Sequence, residues 1–189
     1  METWIRRIDT FSQSVGHAFS WCVLVLTAST CYEVFMRYVL NAPTAWAFDI
    51  SYMMYGALFM MSGAYAMSRN AHVRGDFLYR KWAPRTQARL DLLLYFIFFF
   101  PAVFAMVFTG ALYSFESTRI LESSVNSPAG VPVWPLKLLI FVGGLTLLIA
   151  GIAEVMRCLI CIRTGAWLSR SGDVEELEVV LIKQHGEKA

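Results

Sequence analysis

Four stretches of this chain that are long enough to cross a bilayer contain no Asp, Glu, Lys or Arg: residues 10–32, 50–68, 92–115 and 138–153. They are bounded by Asp9 and Glu33, Asp49 and Arg69, Asp91 and Glu116, and Lys137 and Glu154. About 20 apolar residues, each rising about 1.5 Å, cross the hydrocarbon core of a bilayer as a helix. The fourth run is the shortest, and Val133, Trp134, Pro135 and Leu136 extend it. A backbone facing lipid must satisfy its own hydrogen bonds, which leaves helices or closed barrels. Barrel strands alternate apolar with polar residues, and 92–100 (LLLYFIFFF) does not. The expectation is therefore an all-α integral membrane protein with four transmembrane helices. Pro101 falls inside the third run, where a proline kinks a membrane helix without ending it.

The spans are expected at about 14–40, 47–68, 90–116 and 133–160. Residues 1–165 then form a single membrane domain and 166–189 a cytoplasmic tail. Arg6 and Arg7 before the first run resemble the start of a signal peptide. The run is too long for one and no small-residue cleavage site follows, so it reads as a retained span. With 57% apolar and 16% charged residues and a net charge of +2, nothing points to nucleic acid.

The placement of charge sets the orientation. Arg69, Arg74, Arg80, Lys81, Arg85 and Arg89 fill the second connection, and Arg6 and Arg7 precede the first span. The tail carries Arg157, Arg163, Arg170, Lys183 and Lys188. The first connection has no basic residue, and the third has only Arg119. Cytoplasmic loops carry the Lys and Arg excess, so both termini are expected inside. Trp4, Trp82 and Trp167 fall near inner boundaries, and Trp46 and Trp134 near outer ones. Trp21 falls toward the inner end of span one. Between spans two and three, His72 to Trp82 reads equally as an amphipathic interfacial helix or a basic loop. From Asp173 onward, Val174, Leu177, Val180 and Leu181 share one helical face.

Chemistry is sparse. Cys158 and Cys161 form a CxxC, but no second pair or nearby histidine completes a zinc site. They read as small apolar side chains, like Cys22 and Cys31. His17 is the only histidine in a span, whereas a membrane haem usually takes two. No cofactor is implied, and no phosphate-binding, metalloprotease or nucleophile-elbow motif is present. Charged side chains deep in a membrane are functional by default, and the predicted midplanes hold none. Glu33 and Arg37 have i,i+4 spacing in the favourable order. Asp49 lies across a short turn at similar depth, so an Arg37–Asp49 contact, with Glu33 as a third member, is expected to fix the first hairpin. Gly56 and Gly63, and Gly144 and Gly151, are each seven apart on one helix face. Such faces admit a neighbouring backbone, within the bundle or on another subunit.

The stretch from Glu33 to Pro43 (EVFMRYVLNAP), followed by Trp46 and Asp49, carries an Arg-Tyr pair (Arg37, Tyr38) and an Asn-x-Pro (Asn41, Pro43). After the second span come His72, Val73 and, four residues past the histidine, Asp76. This order, set against four spans, resembles the small membrane subunit (DctQ type) of the tripartite ATP-independent periplasmic (TRAP) transporters, over roughly residues 5 to 165. Asp49 departs from the pattern, which more often has Glu, and the acidic tail lies outside it. More narrowly, Asn126 to Gly130 with Trp134 to Lys137 resembles a branch associated with mannitol, chloroaromatic compounds and, in some members, 2-oxoacids.

The resemblance implies a non-enzymatic scaffold subunit in a bacterial inner membrane. A large membrane subunit moves the substrate on a sodium gradient, a periplasmic binding protein captures it, and the substrate is usually an organic acid. The small chain surrounds and anchors the static part of the large one, among membrane lipids. Two other classes compete: a self-sufficient proton-coupled transporter, which would need Glu33 or Asp49 to titrate in a central cavity, and a membrane electron-transfer subunit, which the histidine count opposes.

Overall fold

The computed structural model describes residues 1–71, 79 and 82–168. Among these the chain is helical, apart from one isolated antiparallel bridge between Ser123 and Pro132. The helices are α1 (Glu2–Ser20), α2 (Cys22–Tyr38), α3 (Ala47–Ser68), α4 (Pro84–Leu94), α5 (Phe100–Arg119) and α6 (Trp134–Thr164), with a π-helical segment, Tyr95–Phe99, joining α4 to α5. The interfacial helix considered for His72 to Trp82 and the helix from Asp173 fall almost wholly outside the described residues.

Among the described residues, three helical runs are long and apolar enough to cross a membrane: Glu2–Tyr38, Pro84–Arg119 and Trp134–Thr164. At about 1.5 Å per residue, each exceeds the roughly 30 Å hydrocarbon thickness. The first is interrupted only by a turn at Trp21. Helix α3 is 22 residues long, also enough to span, but Tyr52, Tyr55, Tyr65, Ser51, Ser62, Gly56 and Gly63 dilute its apolar character and it is not among the three.

Local chemistry explains where the helices stop and bend. Asn41 and Asn70 take positive φ (50° and 54°) after α2 and α3, a conformation asparagine tolerates better than most residues. There the Ala71 N–H returns to the Ala66 carbonyl (2.9 Å) and the Ala42 N–H to that of Met36 (3.0 Å), satisfying carbonyls the helix ends leave open. Gly165 closes α6 with φ 83°. The π segment ends at Phe99, two residues before Pro101. Proline has no N–H for the carbonyl four residues back and its ring crowds that carbonyl, and widening the preceding turn relieves both.

Packing is close where side chains are smallest. Helices α1 and α2 run antiparallel to α3: Gly16 lies against Tyr65, and the Ser29 hydroxyl donates to the Ala47 carbonyl (3.3 Å). Helix α6 packs on α3 and α5. A Cβ built on Gly143 would lie 3.3 Å from the Met60 carbonyl oxygen, and one on Gly144 2.9 Å from Val107 Cγ2. Ala64, Met67 and Ala150 form one buried cluster, against Tyr95, Phe99 and Leu147. Ala88, Cys158 and Cys161 form another.

Candidate functional site

Most of the family-motif residues lie around the corner where α2 turns into α3. The Arg37 guanidinium donates to Glu33 Oε1 through Nε (2.9 Å) and Nη2 (2.6 Å). The other Glu33 oxygen accepts the Thr44 backbone N–H (3.0 Å) and the Thr44 hydroxyl. One carboxylate thus ties its own helix to the turn beyond Pro43. Tyr32 stacks on Trp46 across that turn, with ring centroids 5.7 Å apart. Tyr38 is 75% exposed and takes no part in the corner's hydrogen bonding.

The expected contact between Arg37 and Asp49 does not form. Asp49 is 1% exposed. It accepts the Ser124 hydroxyl on Oδ1 (2.7 Å) and the Ser127 hydroxyl on Oδ2. The i,i+4 geometry within α2 satisfies Arg37 without crossing the turn, and Asp49, one turn into α3, faces the other way. Depth departs from the expectation as well as azimuth: Ser29 and Thr30 bond to Ala47 and Ser51, so Asp49 lies level with them and more than a turn deeper than Arg37. Glu33 and Asp49 therefore belong to two separate polar ties rather than one cluster.

Asp49 thereby anchors the connection between α5 and α6. That connection is ordered by its own backbone: the Ser124 N–H donates to the Val131 carbonyl (2.8 Å) and the Val133 N–H to that of Glu122 (2.9 Å). Glu122 accepts from Lys137 Nζ at 2.5 Å, and that ammonium holds the Glu122 carboxyl below the ordinary carboxylate range. Lys137 also sits over the Tyr113 ring, 4.0 Å from its centroid. Ser124, Ser127 and Thr44 were invisible as site residues, because serine and threonine in loops carry no signal without a known partner.

At the opposite end of the bundle, Arg157 bridges two acids. Its guanidinium donates to Asp9 on α1 and to Glu154 one turn back on α6. Side-chain exposure is 2% for Arg157, 8% for Asp9 and 4% for Glu154. Asp9 reads in the sequence as the boundary of a span, not as a partner. Its one available signal is the Asp9, Ser12, Gln13 spacing, which puts three polar groups on one face of α1. Ile5, Asp9 and Ser12 are that helix's buried residues.

The four glycines face inward. Gly56 meets Leu136, Gly63 meets Leu147, Gly144 meets Val107 and Met106, and Gly151 meets Phe99. All are contacts of α6 within this chain, so in the structure these positions serve its internal helix packing. His72 and Asp76 lie outside the described residues. Among those residues, no group of three His, Cys, Asp or Glu side chains stands close enough to share a metal ion.

A bundle whose charges sit at its two ends, tied to each other or to loops, and whose remaining surface is broadly apolar defines a helical membrane protein. Residues 26–161 match the family described as tripartite ATP-independent periplasmic transporters, DctQ component. The chain belongs to that family, a transporter component rather than an enzyme family. No individual curated protein matches it.

Proposed function

We propose that the chain is the scaffold subunit of a sodium-coupled TRAP transporter for organic acids. In this reading α3 is a fourth crossing, both termini are cytoplasmic, and the protein resides in a bacterial inner membrane. A larger membrane subunit carries the substrate, and a periplasmic protein delivers it. The observation that carries the reading is the family match over residues 26–161 on a bundle with no Asp, Glu, Lys or Arg in its central sections. A carrier of its own would be expected to place ionisable groups there. Glu33, Arg37, Asn41, Pro43, Trp46 and Asp49 are then shape-setting residues of the outer corner. Tyr38, His72 and Asp76 are assigned to the same architecture by the motif alone.

The test is reconstitution. The chain alone in liposomes should accumulate no organic acid. With the larger subunit and binding protein added, uptake should appear and should need an inward sodium gradient. Sodium-driven or proton-driven uptake by the chain alone overturns the proposal.

A further inference from the structure

The last turn of α5 carries two opposite charges that nothing in the described chain neutralises. Glu116 and Arg119 lie three residues apart there, and both are exposed. Among the described residues neither side chain has a hydrogen-bond or ion-pair partner. Neighbouring charges at this end of the bundle are committed: Arg37 to Glu33, Lys137 to Glu122, and Asp49 to Ser124 and Ser127.

An apolar groove leads to this pair. Leu112 is 56% exposed and lies four residues before Glu116 and seven before Arg119, so the three share one side of the helix. With Thr109, Gly110 and Tyr113 of α5 and Ile140 of α6, Leu112 lines a cavity of about 480 Å³ that ends at Glu116. Gly110 forms its floor, where a Cβ would lie 3.3 Å from the Phe141 backbone, so α5 and α6 meet there. The Thr109 hydroxyl turns back to the Ala105 carbonyl of its own helix (2.7 Å), which leaves hydrocarbon along that wall. From Thr109 to Glu116 the groove runs about 10 Å along the helix axis, within the roughly 15 Å of hydrocarbon in one leaflet. The two charges therefore stand at its rim, at headgroup level.

Apolar groove first and opposite charges beyond it is the order of a phospholipid from chain to headgroup. We propose that this groove is a binding site for a zwitterionic phospholipid with a primary amine, a phosphatidylethanolamine. The acyl chain lies along Leu112 and Ile140, the Arg119 guanidinium donates to the phosphate, and the Glu116 carboxylate accepts from the ammonium. A primary ammonium offers three N–H donors, whereas the trimethylammonium of phosphatidylcholine offers none. An anionic headgroup such as phosphatidylglycerol brings no cation to Glu116 and places its phosphate beside a like charge. The site rests on the scaffold reading above only for which leaflet it occupies.

The test uses the full chain, purified in detergent and offered dioleoyl phosphatidylethanolamine, phosphatidylcholine or phosphatidylglycerol at equal concentration, with bound lipid counted by native mass spectrometry. Phosphatidylethanolamine should be retained over phosphatidylcholine about fivefold, the size of one exposed charge pair. Glu116→Gln should abolish that preference, and Arg119→Gln should weaken both lipids alike. Both side chains are exposed and unpaired, so these changes leave the packing of the bundle intact. Equal retention of the two lipids by the unaltered chain, or a preference that survives Glu116→Gln, overturns the proposal. A photo-crosslinking amino acid at Leu112 in native membranes should give a lipid adduct, and an adduct with a second copy or another protein overturns the choice of occupant. The binding measurement needs no other subunit, so its failure is distinct from failure of the scaffold reading, which reconstituted transport reports.

Discussion

Arg157 on α6 donates to Asp9 on α1, a contact between residues 148 positions apart that closes one end of the bundle. Arg157→Met should cost about 3–5 kcal/mol, because it leaves the Asp9 and Glu154 carboxylates buried without their shared guanidinium. A triple variant with Asp9→Leu and Glu154→Leu should lose much less. Thermal unfolding of the purified protein in detergent checks this, and a triple variant less stable than Arg157→Met contradicts it.

Asp49→Ala should release the α5–α6 connection. Two serine hydroxyls lose a buried charged acceptor, a loss of about 1–3 kcal/mol. Hydrogen exchange should accelerate across residues 122–133, while α6 beyond Leu147 stays protected. Uniform acceleration along α6 would mean that Asp49 supports the whole bundle and not this loop.

The Glu122–Lys137 contact gives that loop a pH dependence. The folded carboxyl of Glu122 lies below its reference value of 4.5. Its contribution is therefore complete above about pH 4.5 and fades as pH falls through the lower, folded value. Loop protection should hold from pH 7 to 5 and drop below 4.5, and Glu122→Gln should remove that drop. A loss centred near pH 6 would point to another group.

Leu121 holds φ 48° although it is a branched aliphatic, and its side chain is 66% exposed. Little packing is at stake, so Leu121→Gly should relieve backbone strain and stabilise by about 1 kcal/mol. Lower stability on thermal unfolding would show that the side chain has a partner worth more than the strain.

The topology reading predicts that single cysteines at Ala42 and Ser123, in a chain whose own cysteines are replaced, react with an impermeant thiol reagent added to intact cells. One at Arg80 should not. Labelling at position 80 reverses the orientation.

Membrane residence, helical class and family were legible in the sequence because they depend on one-dimensional quantities: the length of uncharged runs, the position of charge and the order of short motifs. The Glu33–Arg37 pair was legible for the same reason, since i,i+4 spacing on a helix fixes proximity. Which way a side chain points across the bundle has no such signature. Asp49 lies level with Ser29 and Thr30, more than a turn deeper than Arg37, and is held by Ser124 and Ser127 instead. Asp9 reads as the edge of a span until α6 brings Arg157 beside it. Glycine spacing marks a close-packed face, but only the fold placed Gly56, Gly63, Gly144 and Gly151 between helices of this chain. Local pattern sets the period along a helix, while its register against a neighbour and its rotation about its axis are set by what packs against it.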